Sequence, residues 1–351
     1  MRIAIHRNDR IFRHSTNWSY AWEDYCRGSG MGYSLVDCFE NGALERLRDY
    51  DILVWHFSNY SLQEMLFARS ILQSAKSLGL SVFPDFETSW HFDDKVAEIH
   101  LLQSVRAPLP RFWIFYDLED CEAWLRTNSE FPLVAKLRSG AGSENIRLIK
   151  DRNAAIAYAR EIFGPGFDTT PSVLFKARTQ WRSSRDWTTL RKRILRIPDL
   201  IWKRKKAKSF PRERGYAYFQ EFVPNAGFDI KIVVIGNKLS FICRKVRKGD
   251  FRASGSGDLY FDRSAVTRDM LDSAFSTSDR ARFQCMGYDY IVDQRDGRGK
   301  IVEISYGFSH TALKQAGGYW DRAAVWHDDP LNAPQEVLRQ LIEEMPGSRR
   351  I

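Results

Sequence analysis

The sequence predicts a mixed α/β protein with α+β subdomains, and three observations predict it. The chain has 351 residues, more than one hydrophobic core usually supports. Its first 90 or so residues alternate short apolar runs with a helix-period segment, the pattern of a parallel sheet covered by helices. Its last third sets strand after strand around one helical segment, the pattern of a mixed layer. Hydrophobic residues at 44%, with 11 Trp and 23 Phe, supply ample core material and exclude a chain disordered throughout.

Four segments follow in order. In residues 1–91, the stretches 2–6, 51–57 and 80–84 are strands by their β-branched and aromatic content. Residues 62–78 place Met65, Leu66, Ile71, Leu72, Ala75 and Leu78 near helical spacing. In residues 92–175, Asp93 or Asp94 caps a helix carrying Val96, Ile99, Leu101, Leu102 and Val105, and Pro108 and Pro110 stop it. Strand 111–116, helix 118–126, strand 133–136, a glycine loop, strand 145–149 and helix 154–162 come next, and Gly164-Pro165-Gly166 marks a break. Residues 176–215 form a basic insertion. In residues 216–351, strands are expected at 218–223, 229–235, 238–246, 288–293 and 300–304, with Gly236-Asn237 as a hairpin turn and a helix near 269–282.

Several classes are set aside by composition. Residues 1–6 read as a strand, without the apolar core and cleavage site of a signal peptide. No apolar run reaches the roughly 18 residues of a membrane span. The five Cys are scattered and never spaced as CxxC, which points to reduced thiols and not to a disulfide framework or zinc site. The expected location is therefore cytoplasmic. The net charge of +9 is local: residues 176–214 hold 15 Lys plus Arg against Asp186, Asp199 and Glu213, or +12, which leaves 38 basic and 41 acidic residues elsewhere, or −3.

Three constellations carry candidate chemistry. Lys136 ends a strand and runs into Ser139, Gly140, Ala141, Gly142 and Ser143, a turn whose glycines let backbone N–H groups approach a polyphosphate. Alone, such glycines more often mark only a hairpin, and no GxxxxGK[ST] loop is present. Asp289 and Glu303 sit on successive strands joined by a tight turn, so both carboxylates can share one face and suit Mg²⁺ with nucleotide phosphates. Two solvent-facing strand residues would read the same way. Arg244, Lys245, Arg247, Lys248 and Arg252 would neutralise a transferring phosphoryl group, or form a solvated basic loop.

The order of these elements resembles the ATP-grasp superfamily over roughly residues 92–307. The series is Asp94-Lys95; Phe131-Pro132-Leu133-Val134-Ala135-Lys136 with its loop; Phe219-Gln220-Glu221-Phe222-Val223; Phe228-Asp229-Ile230-Lys231; Asp250-Phe251-Arg252; Gly287-Tyr288-Asp289; and Val302-Glu303-Ile304-Ser305. The resemblance implies an ATP-grasp fold behind an N-terminal Rossmann-like domain, and an ATP- and Mg²⁺-dependent ligase that joins a carboxylate to an amine through an acyl phosphate. It implies that Lys95 and Lys136 hold the ATP phosphates under the loop 139–143. Gln220, Glu221, Phe222 and Val223 are then the adenine-reading hinge, and Asp229 is the ribose carboxylate. Arg252 and Arg244 meet the transferring phosphate, and Asp289, Glu303 and Ser305 take the metal positions. Ser305 stands where the family usually places Asn, a departure that also admits a nucleotide-binding scaffold without ligase activity.

Residues 303–308 and 318–321 further resemble a branch found among polysaccharide biosynthesis proteins, which implies a sugar acid or peptide as carboxylate substrate. In the insertion, Trp181, Trp187 and Trp202 interleave with Lys and Arg. This suits a solvated lid, or an anionic carrier or inner membrane face. No nucleic-acid-binding module signature is present.

Overall fold

The computed structural model describes residues 1–7, 17–140, 145–168, 211–246 and 258–345. The chain divides into two compact units, one of Met1–Ser58, Glu64–Pro110 and Val223–Ile351, the other of Asn59–Gln63 and Arg111–Phe222. This division differs from one at 91, 175 and 216. Residues 1–91 share a core with the C-terminal strands, and the strand after residue 216 belongs to the second unit's sheet.

The larger unit begins with a parallel sheet of β1 (Ile3–His6), β2 (Tyr33–Val36), β3 (Ile52–Val54) and β4 (Ser81–Phe83), in the order β2-β1-β3-β4. Strands β1 and β3 are buried along their whole length, which is why they read as continuous Ile, Leu, Val and Ala runs. Edge strand β2 (YSLV) is half exposed, buries no full face, and lacks the pattern that marks the others. Helices α1 (Trp18–Gly28), α2 (Ala43–Leu47), α3 (Leu62–Ser77) and α4 (Phe86–Ser89) follow or separate these strands. In α1, Trp18 and Trp22 are one turn apart and fully buried. The Trp22 indole N–H donates to the Pro334 carbonyl at 2.8 Å, which ties this helix to the C-terminal segment.

Helix α5 (Lys95–Ser104) is capped by Asp94, whose Oδ1 accepts the Ala97 N–H at 3.0 Å. The second unit then builds an antiparallel sheet from β5 (Phe112–Phe115), β6 (Leu133–Lys136), β7 (Ile146–Ile149) and β8 (Ala217–Glu221), in the order β5-β8-β6-β7. Helices α6 (Leu118–Thr127) and α7 (Arg152–Phe163) carry its core residues Cys121, Leu125, Ala155, Ala159 and Ile162.

The chain returns to the larger unit as the hairpin β9 (Phe228–Ile235) and β10 (Lys238–Lys245), closed by Gly236 at φ +54°. A side chain at Gly236 would also run into the Gln340 amide. The short β11 (Leu259–Tyr260), α8 (Arg268–Ala281), β12 (Cys285–Val292), β13 (Gly299–Ser305), α9 (His310–Leu313), β14 (Tyr319–Trp320), β15 (Trp326–His327) and α10 (Ala333–Glu344) complete it. The sheet order is β13-β12-β9-β10-β14-β15, with β11 beside β10. One face of β12 lies against α8, where the Tyr288 and Tyr290 hydroxyls pair with those of Ser278 at 2.5 Å and Ser273 at 2.9 Å. Those pairs satisfy the phenols that burial would otherwise leave unmet.

Candidate active site

The other face of β9, β10, β12 and β13 carries charge. Asp229 and Lys231 are two residues apart on β9, so both project to the same side. Arg244 stands opposite Asp229, Asp289 opposite Lys231, and Glu303 opposite Asp289. A row of five ionisable side chains therefore crosses four strands. Arg244 grips Asp229 in a fork, Nε to Oδ1 at 2.6 Å and Nη2 to Oδ2 at 2.9 Å, and reaches Asp289 Oδ2 at 3.0 Å. Lys231 Nζ pairs with Asp289 Oδ1. Lys95, at the start of α5, pairs with Glu303 Oε1 at 3.4 Å.

These groups are buried, Glu303 excepted, so each charge depends on its partner. Burial alone would raise the Asp289 pKa, but Arg244 and Lys231 outweigh it and hold the carboxyl below its usual range. Burial pushes Asp229 up to about 6 against the pull of Arg244, with the Asp289 charge adding to the rise. For Lys95, burial opposes the charge, and Glu303, Glu98 and Asp93 overcome it, so the ammonium is held above its ordinary value. Glu98 lies one turn along α5 and accepts the Ile304 N–H at 3.3 Å; burial and the Glu303 charge both raise it, against Lys95. Lys231, which closes the motif Phe228-Asp229-Ile230-Lys231 without a role assigned there, and Glu98, which no motif includes, are further members of this network.

Ser305 does not extend the carboxylate row. Its hydroxyl accepts the Gly307 N–H at 3.0 Å and donates to the Gly307 carbonyl at 3.2 Å, closing a local turn. Among the described residues, no group of three or more His, Cys, Asp and Glu side chains is arranged to hold a metal ion.

In the second unit, Lys136 ends β6, is 3% exposed, and lies 5.8 Å from the Tyr218 ring centroid. The following loop is anchored by Glu213, which accepts from the Ser139 hydroxyl at 2.8 Å and pairs with Arg138 at 3.4 Å. Gly140 has φ +114°, and a side chain there would collide with the Asn145 amide that holds the Ser139 carbonyl at 2.7 Å. Ala141, Gly142 and Ser143 lie outside the described residues, as do Arg252 and residues 169–210 of the basic stretch.

Gln220 and Glu221 are inside β8, where Gln220 stands between Phe112 of β5 and Val134 of β6. The Glu221 carboxylate is spent on Arg111, accepting from its backbone N–H at 3.2 Å and its Nε at 3.0 Å. Phe222 and Val223 follow the strand and fall where the chain passes from one unit to the other.

No protein-family model matches the chain, and no curated relative matches it. Solved structures do share its architecture. D-cycloserine synthetase DcsG matches at a TM-score of 0.60 and 10% identity, over 97% of this chain and 100% of that one. D-alanine–D-alanine ligase from Bacillus anthracis, solved with ATP, matches at 0.57 and 13% identity over 100% and 98%. The ATP-grasp ligase PsnB, solved with precursor peptide PsnA2 and AMPPNP, matches at 0.53 and 11% identity over 99% and 98%. The chain shares the fold of these structures. The chain has the ATP-grasp fold that its ordered motifs implied.

Proposed function

We propose that the chain is an ATP-dependent carboxylate–amine ligase working through an acyl phosphate. The observation that carries this reading is the charged row Arg244, Asp229, Lys231, Asp289 and Glu303, set in register on one sheet face. A carboxylate is a poor electrophile until phosphorylated, and the transfer brings several anions together. Arg244 and Lys231 supply fixed positive charge where those anions would meet. Asp289 and Glu303 are the residues that would hold Mg²⁺; two carboxylates fit an ion that takes its remaining ligands from nucleotide phosphates. An Mg²⁺ held there would supply positive charge that offsets the phosphates during transfer. Lys95 and Lys136 would bind phosphate, and the loop that starts at Ser139 would exclude water from the activated acid.

D-alanine–D-alanine ligase, L-amino acid ligase from Bacillus licheniformis and PsnB are among the neighbours, which supports an amino acid or peptide on one side of the new amide. A sugar acid in polysaccharide assembly is the alternative acid, resting on residues 303–308 and 318–321. Residues 176–214 would bring an anionic carrier or the inner membrane face, and no described helix is long and apolar enough to cross a membrane.

The Ser305 turn favours one second reading, a nucleotide-binding scaffold with little turnover. ADP release should require ATP, an acid and an amine together, screened across amino acids, uronic acids and ammonia. Lys136→Ala and Glu303→Gln should each lower that release by roughly 10²-fold or more. Full turnover by either variant refutes the site, and ATP binding without turnover under any pair supports the scaffold.

A further inference from the structure

Each carboxylate of the charged row has a cation against it. Lys95, Lys231 and Arg244 pair with Glu303, Asp289 and Asp229. The two carboxylates proposed to bind Mg²⁺ therefore already have cations against them, but they are not held equally. Asp289 is 8% exposed and contacted by two cations, one of them Arg244 at 3.0 Å with 10% exposure. Glu303 is 20% exposed and meets Lys95 at 3.4 Å. Coulomb attraction falls with distance and with solvent contact. Glu303 is thus the carboxylate that changes partners more readily, and Asp289 the more tightly held of the two.

Lys95 sits among three acids, since Glu303, Glu98 and Asp93 all act on it. It projects from the first turn of a helix whose Glu98 fixes the Ile304 backbone beside Glu303. Removing its charge would leave that group of oxygens without a counter-cation, the condition that favours a hard divalent ion.

We infer that Lys95 is an internal stand-in for the divalent cation: in the nucleotide-free protein it occupies Glu303, and divalent binding waits until a phosphate draws the ammonium away. The release by phosphate rests on the ligase reading; the occupancy of Glu303 does not. The consequence is an order of binding. Nucleotide and metal enter together, and the free protein leaves divalent cations largely unbound.

Mn²⁺ is the probe, titrated into the full chain without nucleotide and followed by electron paramagnetic resonance of the free ion. Wild-type protein should bind it weakly, and saturating AMPPNP should tighten binding. Lys95→Met should tighten nucleotide-free Mn²⁺ binding by at least about tenfold, and adding Glu303→Gln to that variant should abolish the gain. Lys95→Arg keeps the positive charge and should bind nucleotide-free Mn²⁺ as weakly as wild type. Lys95→Gln is the substitute should the Met variant fail to fold. Wild-type protein binding Mn²⁺ as tightly as the neutral variants, or folded neutral variants showing no gain, overturns the proposal. A wild type that never binds AMPPNP sinks the ligase reading, while the gain in the neutral variant still decides whether Lys95 guards Glu303.

Discussion

The larger unit buries histidines and a row of paired charges, while the smaller one buries Lys136, Glu213 and Glu221 among rings and aliphatic chains. All seven histidines of the chain fall in the larger unit and none in the smaller, and the larger also holds the buried charged row. In the smaller unit Trp124 packs against Trp113, Phe115 and Phe219 at 5.0, 5.2 and 5.9 Å between ring centroids. Tyr158 stacks on Phe167 at 5.0 Å. Apolar burial is indifferent to pH, whereas a buried titratable group makes stability conditional on its protonation state.

Acid should destabilise the larger unit first. Burial lowers His56 and His91 to about 3, helped by the neighbouring charges of His310 and Arg69 respectively. Burial likewise lowers His6 to about 4, against Asp37, and His310 to about 4, helped by Lys314. A histidine kept neutral in the fold binds its proton more readily when unfolded. Its contribution is therefore full above the unfolded value near 6.5 and is lost as pH falls toward the folded value. Each shift corresponds to about 3 kcal/mol or more at 1.36 kcal/mol per unit, so two of the four rival a whole domain's stability of about 5–15 kcal/mol. Hydrogen exchange between pH 7 and 4 should show protection collapsing first in β1, which carries His6, and in β3, which His56 follows two residues later. Equal loss of protection in β6 and β8 would contradict the assignment.

Arg244→Met should come next in size. It leaves Asp229 and Asp289 buried without their shared guanidinium, and breaking a buried pair from one side costs about 3–5 kcal/mol. Urea unfolding should register that loss. Adding Asp229→Asn should recover part of it, because one uncompensated charge is then gone. If the single variant unfolds like wild type, the fork between Arg244 and Asp229 is not holding the sheet face together.

The legible part of the molecule is the part set by local pattern. The β9–β10 hairpin was readable from Gly236-Asn237 between alternating runs, and β6 from its apolar run ending in Lys136. The pairing of Asp289 with Glu303 follows from strand alternation across one tight turn. Lys231 was hidden because a lysine in a strand reads as solvent-facing, and only Asp289, far along the chain, shows why it is buried. Glu98 was hidden for the same reason: its partner Ile304 is supplied by tertiary folding. Strands β2, β11, β14 and β15 are two to four residues long at or near sheet edges, too short for periodicity to register. Ser305 was legible as a departure, but its use in a turn with Gly307 was not.

The two units share one capping device, and its loss should have the smallest effect on stability. Asp94 caps α5 by accepting the Ala97 N–H at 3.0 Å, and Asp151 caps α7 by accepting the Ala154 N–H at 2.9 Å. Replacing either by Ala should cost about 1 kcal/mol of stability, the usual worth of such a cap. The consequences for function should diverge. The residue after Asp94 is Lys95, so loosening that first turn also loosens the ammonium from Glu303. Asp94→Ala should therefore shift the ATP and Mg²⁺ concentrations giving half-maximal ADP release, while Asp151→Ala, whose helix carries none of the charged row, should leave both unchanged. Equal kinetic shifts in the two variants, at equal loss of stability, would mean that the caps act only through general destabilisation and that α5 has no special part in placing Lys95.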